Sequence, residues 1–359
     1  MPRFRTGTVL AVVEDLEGGV QRLTVDIDGS QRDAILFPRW AAPAREGDRV
    51  VVNTTALDLD LGTGGVDFVV WNHAVESYDA PGQGHIMKLR YTPAQCDVLA
   101  VEAQESPHHE VMTRATSLDG TPVVATSLHS QLLPVLCGVR SVRNDLNVVY
   151  VMTDGAALEA GFSNTLRRSR EIGWLKGVVT TGHAVGGDLE SVTLHSGLLA
   201  AKHVLEADLI VAGLGPGVVG TGTPYGTTAL DLGTIALAAI SLGGRCVVCV
   251  RLSSADPRPR HQGLSHHVVS ALRWVAPAVK TDTASVVVPP GWGKEAAEAL
   301  APWPVIEEDP GTIMAALAAA AADGLHASHM SRGPDEDPVF FESAAAAGVR
   351  AAREIEIKR

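Results

Sequence analysis

The fold is decided by the stretch Leu209-Ile-Val-Ala-Gly-Leu-Gly-Pro-Gly-Val-Val-Gly-Thr-Gly-Thr-Pro-Tyr-Gly226. It opens with an apolar run, Leu209–Ala212, and continues as a loop in which six of fourteen residues are glycine. A long apolar stretch, Thr227–Leu242, follows with helical character. A buried strand that leads through a glycine-rich loop into a helix is the repeating unit of α/β proteins.

The same alternation of strand, loop and helix fills the chain from about residue 95 onward. Short apolar runs predict strands at Asp97–Val101, Val123–Thr126, Val148–Met152, Gly177–Thr181, Leu209–Ala212, Cys246–Val250, Ser285–Val288 and Val305–Ile306. Helices are predicted between most of them, at Asn164–Ile172, Gly197–Leu205, Thr227–Leu242 and His267–Val275. Near-continuous apolar strands that alternate with helices predict an α/β fold with a mostly parallel, doubly wound, Rossmann-like sheet.

The first 75 residues have a different pattern. Short runs at Thr8–Val13, Gln21–Ile27, Arg32–Phe37 and Asp48–Asn53 are separated by glycine-containing turns and lack a helical period. This pattern predicts a small N-terminal β-barrel domain. We therefore divide the chain into a barrel (1–75), a linker (76–94) and an α/β domain (95–359).

The overall composition narrows the classes of partner. The 359 residues carry 29 Lys+Arg against 41 Asp+Glu, a formal net charge of −12, and only 4% are aromatic. Nucleic-acid binding requires clustered positive charge or aromatic stacking surfaces, so we expect no nucleic-acid partner. Because 46% of the residues are hydrophobic, the chain can bury a large core.

Neither a membrane segment nor a disulfide is expected. The most apolar stretch, Leu232–Val250, is interrupted by Gly243-Gly244-Arg245, and the short run Val9–Val13 leads directly into Glu14. The pair Cys246 and Cys249 lies inside a predicted buried strand, where the two side chains face opposite ways. We expect a cytoplasmic protein without disulfides.

Polar residues accumulate where the predicted strands end. Of thirteen histidines, six lie in these loops: His108, His109, His129, His183, His266 and His267. Imidazoles and carboxylates gathered at one sheet edge suit a divalent metal, and the candidate ligands are His108, His109, His183, Asp188 and His266. Neighbouring histidines on a helix point about 100° apart, so each adjacent pair should offer one ligand. For any single histidine, an ordinary hydrogen-bonding role is the simpler interpretation.

Asp154, His129 and His195 are the candidate catalytic residues. Asp154 directly follows an apolar strand and precedes Gly155, a placement typical of a site. His195 would share a face with Ser191 and Thr193 if Ser191–His195 forms a short strand, although Ser196 also suits the start of a helix.

The glycine loop is the candidate ligand-binding element, through Gly213, Gly215, Gly217, Gly220, Thr221, Gly222 and Thr223. Glycines let backbone N–H groups approach an anion closely, and the following helix directs its positive end toward the same space. Formally, Gly215–Gly220 also matches G-x-G-x-x-G. The third glycine is far from the helix start, however, and the next strand leads to Arg251 instead of an acidic residue. A close-packed structural loop is the remaining alternative.

Several stretches are distinctive together: Asn53–Gly65, Lys88–Gln95, Glu105–His109, Tyr150–Gly155, Gly263–His267, the glycine loop and Arg332–Phe341. With them the chain resembles an uncharacterised bacterial domain-of-unknown-function family of actinobacteria and firmicutes. The resemblance covers nearly the whole chain, and it departs at His329-Met-Ser-Arg332, where Met-Gly-Arg is expected. It implies a bacterial cytoplasmic protein of similar architecture and supplies no catalytic residue. Arg332 lies in the polar loop Ser331–Phe341 and is a candidate to contact an anionic ligand. A segment that docks the C-terminal helix is the simpler interpretation of this loop.

The leading hypothesis is an enzyme that acts on a small phosphorylated or nucleotide-like ligand by metal-assisted hydrolysis or transfer. The first alternative is a metabolite-binding or assembly protein without catalysis, because no complete catalytic motif occurs. The second is an NAD(P)-dependent oxidoreductase, which rests on the glycine pattern alone. The sequence leaves the cofactor open, with a divalent metal as one candidate, and a homo-oligomer is possible.

Overall fold

The computed structural model describes residues 1–15, 19–61, 64–80, 82 and 84–355. The chain forms two compact units, Met1–Leu99 and Ala100–Arg359. Residues 81 and 83, which belong to the predicted linker, lie outside the described residues.

The first unit contains the barrel that the sequence predicts. Its strands are β1 (Phe4–Asp15), β2 (Gln21–Ile27), β3 (Ser30–Leu36), β4 (Arg49–Asn53) and β5 (Asp67–Asn72). They close in the order β1-β2-β3-β5-β4. Alternate side chains point inward, so that Val9, Leu23, Val25, Val50 and Val52 form a shared core. Strand β5 was not recognised in the sequence.

A short antiparallel pair ends this unit and corrects one predicted strand. It joins β6 (Ile86–Lys88) to β7 (Cys96–Val98). The prediction that Asp97–Val101 is a strand of the parallel sheet was therefore wrong. Its first residues pair with β6 instead, and beyond them Ala100 makes only an isolated bridge to Glu190. A short apolar run does not reveal which partner it will pair with.

The second unit is built on a parallel sheet. The strands of this unit are β8 (Pro122–Ala125), β9 (Val148–Thr153), β10 (Gly177–Thr180), β11 (Leu189–Glu190), β12 (Leu209–Leu214), β13 (Arg245–Cys249), β14 (Leu252–Ser253), β15 (Gly263–Leu264), β16 (Ala284–Val288) and β17 (Val305–Glu307). Eight of them form the sheet, in the order β11-β10-β9-β12-β8-β13-β16-β17, with every neighbouring pair parallel. The small pair β14–β15 stands apart from it.

Helices cover both faces of this sheet, which confirms the doubly wound prediction. They are α1 (His109–Arg114), α2 (Leu132–Val142), α3 (Asn164–Glu171), α4 (Leu194–His203), α5 (Asp231–Ser241), α6 (His266–Val275), α7 (Gly293–Leu300), α8 (Ile313–Ala322) and α9 (Pro338–Arg353). Residues of α4, α5, α6 and α7 share one core, and residues of α2, α3 and α9 share the other. Cys246 belongs to the first core and Cys249 to the second, as their positions on a strand require.

Helix α4 begins earlier than the sequence suggested. Its cap is Thr193, whose Oγ1 accepts a hydrogen bond from the Ser196 amide. Ser191–His195 is therefore not a strand, and the shared face proposed for Ser191, Thr193 and His195 was wrong. A threonine with an extended backbone and an amide three residues ahead is a good N-cap, and this local bond determines where the helix starts.

The order of the strands creates crevices at their carboxyl ends. Strands β9 and β12 are neighbours, but the helices that follow them, α3 and α5, pack on opposite faces. The same holds for β8 and β13, followed by α2 and α6. Ligands of open α/β sheets bind in such crevices.

Among the described residues, no helix combines the length and apolar character needed to cross a lipid bilayer.

Candidate functional site

Three histidines meet at the carboxyl end of β13. After this strand, residues 251–267 form the pair β14–β15, a single helical turn at Pro259–His261 and the first two residues of α6. This segment, which we call the 251–267 segment, brings the rings of His261, His266 and His267 to centroid separations of 4.4–5.1 Å. One ligand nitrogen from each ring lies within 4.8 Å of the others. We call these residues the histidine cluster.

The histidine cluster has the polar environment of a metal centre. His261 Nδ1 lies 2.8 Å from Ser265 Oγ, which fixes that ring and leaves Nε2 as its free ligand atom. Both ring nitrogens of His267, and Nε2 of His266, are buried and have no hydrogen-bond partner within the described part of the chain. Buried polar atoms are nearly always paired, so these three nitrogens make the cluster a candidate metal site.

The cluster is also kept neutral. Burial is the main reason that the pKa falls to about 3 for His261 and to about 4 for His267, and nearby positive charge from Arg251 lowers both further. Burial lowers the pKa of His266 as well. Metals bind the neutral imidazole, so the three rings are in the form that coordination needs.

The glycine loop extends from β12 to the histidine cluster. A Cβ on Gly220 would lie 2.9 Å from both Cε1 and Nε2 of His267, so only glycine lets the backbone pass here. Within the loop, Thr221 and Thr223 bond to each other and to Gly226, which closes a turn. The two threonines therefore shape the loop as well as line its exposed side.

Asp154 and Asp231 form a carboxylate pair at the neighbouring crevice. Asp154 Oδ2 accepts a hydrogen bond of 2.9 Å from the His183 amide, and Asp231 Oδ2 accepts one of 2.7 Å from Thr153 Oγ1. Burial raises the pKa of Asp231, and the charge of Asp154 adds to this increase. A Cβ on Gly155 would collide with Asp231 and with Leu214 at the base of the glycine loop. Asp154 and the loop therefore share one edge of the sheet, as the leading hypothesis required.

His129 lies in a hydrogen-bond network beneath this edge. Its Nε2 is 2.6 Å from Ser163 Oγ, and its Nδ1 is 3.2 Å from the Leu214 carbonyl oxygen. Burial lowers the pKa of His129 to about 4, so the ring is neutral. When His129 Nδ1–H donates to the Leu214 carbonyl oxygen, His129 Nε2 accepts a hydrogen bond from Ser163 Oγ. Since Ser163 also caps α3 through the Leu166 amide, this network joins the ends of β12 and α3.

Next to the histidine cluster lies a group of buried and partly buried charges, Arg251, Asp256, Arg258, Arg332 and Asp337, which we call the arginine cluster. Three guanidinium groups contact one carboxylate. Asp256 Oδ2 is 2.9 Å from Arg251, 2.8 Å from Arg258 and 3.4 Å from Arg332. Burial lowers the pKa of Arg251 to about 10. Burial alone would raise the pKa of Asp256, but the hydrogen bonds and charge of Arg258 reverse this effect and hold it well below its usual range.

The remaining candidate residues lie elsewhere and do not join the histidine cluster. His109 Nδ1 is 2.9 Å from the Glu102 carbonyl oxygen at the start of α1, and the neighbouring His108 precedes that helix. Asp188 forms an ion pair with Arg170 and accepts from the Val178 amide. His183 is half-buried beside Asp154, and His195 is exposed in the first turn of α4.

One expectation about the candidate metal ligands needs correction, and one histidine of the cluster was missed. The sequence assigned one ligand to the pair His266 and His267, whereas the structure places both rings in one cluster. Successive residues on the first turn of a helix diverge at the backbone, but His261 lies against both rings and their side chains converge on it. His261 was missed because its Pro-Arg-His context resembles an ordinary loop. The signal available was H-x-x-x-x-H-H, beginning twelve residues after the buried strand β13 ends at Cys249.

Comparison with known proteins adds a family. A family model described as "Protein of unknown function (DUF3866)" matches residues 33–348. A search of curated proteins found no match. The matched range contains the glycine loop, the histidine cluster and the arginine cluster.

Proposed function

The chain belongs to this family of proteins of unknown function (DUF3866), and within it we propose that the protein is a metal-dependent enzyme that hydrolyses or transfers a group on a small phosphorylated or nucleotide-like ligand. One observation carries the proposal. The histidine cluster presents three converging imidazoles, and His266 Nε2 and both ring nitrogens of His267 are buried without a partner among the described residues. Three protein ligands leave a coordination position for water or substrate, as catalytic zinc sites do, whereas structural sites use four.

The chemistry follows from what such a metal supplies. A divalent metal lowers the pKa of a bound water and polarises an oxygen of the ligand. In hydrolysis, the water loses a proton, its oxygen bonds to the electrophilic centre, and the leaving group departs with a proton. Asp154 and Asp231 stand at the same sheet edge as the glycine loop, and the raised pKa of Asp231 suits a group that exchanges protons.

The glycine loop provides the second part of the proposed site. Its backbone runs from the carboxylate pair to His267, so a ligand lying along it would reach both. Exposed residues such as Gly217, Gly222 and Thr223 offer N–H and hydroxyl groups to an anion. His129 orders the base of this loop through the Leu214 carbonyl.

Two alternatives compete with this proposal. A metabolite-binding protein without catalysis would use the same loop and metal, and it is distinguished by tight binding without turnover. The dinucleotide alternative is less favourable, because α5 begins at Asp231, eleven residues after Gly220. The third glycine therefore cannot provide the close contact of helix and strand that the fingerprint needs.

The first test is the metal content of untagged protein purified without chelator. We expect about one equivalent of zinc, manganese or iron per chain by elemental analysis. His266→Gln and His267→Gln should lose at least tenfold in metal affinity, because each removes one of three ligands. His326→Gln, at an exposed histidine outside the cluster, is the matched control.

Chelated and metal-loaded protein are then compared for hydrolysis of simple phosphomonoesters, phosphodiesters and amides. Protein that takes up none of the three metals after incubation would rule the proposal out, as would equal metal content in the wild type and both cluster variants. Circular dichroism confirms that each variant is folded.

A further inference from the structure

The arginine cluster carries more positive than negative charge. Three arginines face two carboxylates, Asp256 and Asp337, so one positive charge is left over within the cluster. Arg251 and both carboxylates are almost fully buried, where water does not compensate such an imbalance. Positive charge that exceeds the negative charge in a partly buried cluster favours the binding of an anion.

Hydrogen-bonding groups in and beside the cluster are also left without partners. Arg251 Nε and Arg332 Nε are buried and make no hydrogen bond to any described residue, although Arg332 Nε lies 3.4 Å from Asp337 Oδ2 in an ion-pair contact. His329 is 3% exposed, stacks on Phe340 at 3.9 Å and has a buried, unpartnered Nε2. When Ser130 donates to His329 Nδ1, that Nε2 carries a hydrogen and becomes a further donor.

We propose that Arg251, Arg258, Arg332 and His329 form an oxyanion subsite that holds the phosphate or carboxylate group of the ligand. An oxyanion carries several acceptor lone pairs on adjacent oxygens, so it can accept hydrogen bonds from the unpartnered donors. Its negative charge also balances the excess positive charge. Guanidinium groups bind such planar or tetrahedral oxyanions in pairs of parallel hydrogen bonds. Arg258 and Arg332 are partly exposed, at 34% and 16% of their side chains, and mark the side from which an anion enters.

The subsite is adjacent to the histidine cluster through the backbone. The Ser265 amide donates to the Arg251 carbonyl at 3.0 Å, and Ser265 Oγ contacts His261. The His261 amide donates to the carbonyl of Arg258 at 2.9 Å. The 251–267 segment thus supplies residues to both clusters, and one small ligand can have its anionic group on the arginines and its reacting group at the metal. Only the contact between the reacting group of the ligand and the metal rests on the proposed function.

The subsite has structural partners that keep it in shape. Ser253 Oγ donates to Asp337 Oδ2 at 2.6 Å, and the Ser254 amide donates to Asp337 Oδ1 at 3.0 Å. Arg258 forms two hydrogen bonds with Asp256, at 2.9 and 2.8 Å. These bonds order the carboxylates and leave part of each neighbouring guanidinium for a ligand.

The test is a titration of the full-length protein with inorganic phosphate and, separately, with acetate. Binding is measured by isothermal calorimetry on metal-loaded and on chelated samples. We expect phosphate to bind in both and to raise the melting temperature of the wild type. Arg258→Gln and Arg332→Gln should weaken binding at least tenfold. Arg258→Lys, which keeps the charge but loses the paired hydrogen bonds, should fall between them and the wild type. Arg273→Gln, at an exposed arginine of α6, is the matched control and should bind as the wild type does.

The outcomes separate this inference from the proposed function. Binding that depends on Arg258 and Arg332 supports the subsite whether or not a metal is present, and stronger binding of acetate than of phosphate would assign it to a carboxylate. Binding that needs the metal and is equal in both arginine variants would overturn the subsite and leave the metal centre intact. No binding of either anion, in either sample, would also overturn it.

Discussion

Burial determines the protonation state of individual histidines in this protein. His129 is neutral because its ring is enclosed and hydrogen-bonded to Ser163 and Leu214. His329 is neutral because burial and the nearby charges of Arg251 and Arg332 lower its pKa to about 3. Such residues cannot be protonated without losing contacts, so each makes folding sensitive to acid.

For His129 the pH dependence can be stated with its sign. The unfolded chain binds this proton with a pKa of 6.5, whereas the folded protein binds it with a pKa of about 4. The contribution of neutral His129 is therefore complete above pH 6.5 and is lost as the pH falls toward 4. Its size is about 3 kcal/mol, because each unit of pKa difference corresponds to about 1.4 kcal/mol.

We expect His129→Gln to flatten the decline in the free energy of unfolding between pH 6.5 and 4. Urea denaturation at several pH values measures it, with His326→Gln as the control that retains the wild-type slope. Parallel curves for His129→Gln and the wild type would show that His129 does not carry the effect.

At the scale of elements, two loops build the candidate site. The 251–267 segment carries His261, and it is held in place by the pair β14–β15 and by the Ser265 cap of α6. The glycine loop lies against it where Gly220 meets His267. Because the glycine loop approaches the first turn of α6 at Gly220 and His267, a change in the loop should reach the histidine cluster.

Gly220→Ala tests this contact. The added Cβ would lie 2.9 Å from His267 Cε1 and Nε2, so the ring or the loop must shift. We expect metal affinity to fall on the order of tenfold, since displaced ligand positions cost that much in metal sites, while the fold is retained. Competition with a colorimetric chelator measures the affinity.

Gly333→Ala is the matched control for this variant, because its Cβ would meet nothing closer than 3.8 Å. Unchanged metal affinity in Gly220→Ala would mean that the loop and the histidine cluster are not coupled.

At the scale of the whole molecule, the two units have separate cores. The barrel core uses residues between Val9 and Val69, and the three other clusters of buried apolar residues use residues from Val101 onward. The histidine cluster, the arginine cluster, the glycine loop and the carboxylate pair all belong to the second unit. None of the described residues that form these four groups lies in the barrel.

We expect a fragment of residues 100–359 to fold and to bind metal with the stoichiometry of the full chain. Its own apolar cores provide the stability, and its unfolding should be cooperative. Near-ultraviolet circular dichroism and elemental analysis measure both properties, with the full chain as reference. A fragment that folds but binds no metal would show that the barrel completes the site.

Much of the architecture could be predicted from the sequence because it is encoded locally. Runs such as Val148–Met152 and Leu209–Ala212 are apolar on both faces, as buried parallel strands must be. The barrel strands alternate, as strands with one buried face must. Strand β5 was missed, and Asp97–Val101 was assigned to the wrong sheet, because pairing depends on partners distant in sequence.

The candidate site was predictable only in part. Asp154 and the glycine loop lie at one sheet edge because both follow parallel strands, and that rule needs only the order of elements. His266 was singled out for the same reason. His261 was overlooked although its H-x-x-x-x-H-H spacing was visible, and nothing local distinguishes His329 from a surface histidine.

From the sequence alone came the two classes of domain, most strands of the parallel sheet, the family, and the sheet edge where polar groups gather. Each of these depends on periodicity or on residues adjacent in the chain. Folding of the whole chain is what brings His261 to His266 and His267, and Arg332 to Asp256 from 76 residues away. These contacts depend on how α9 and the 251–267 segment pack against the sheet. Packing is a property of the whole chain, so no stretch of sequence contains it.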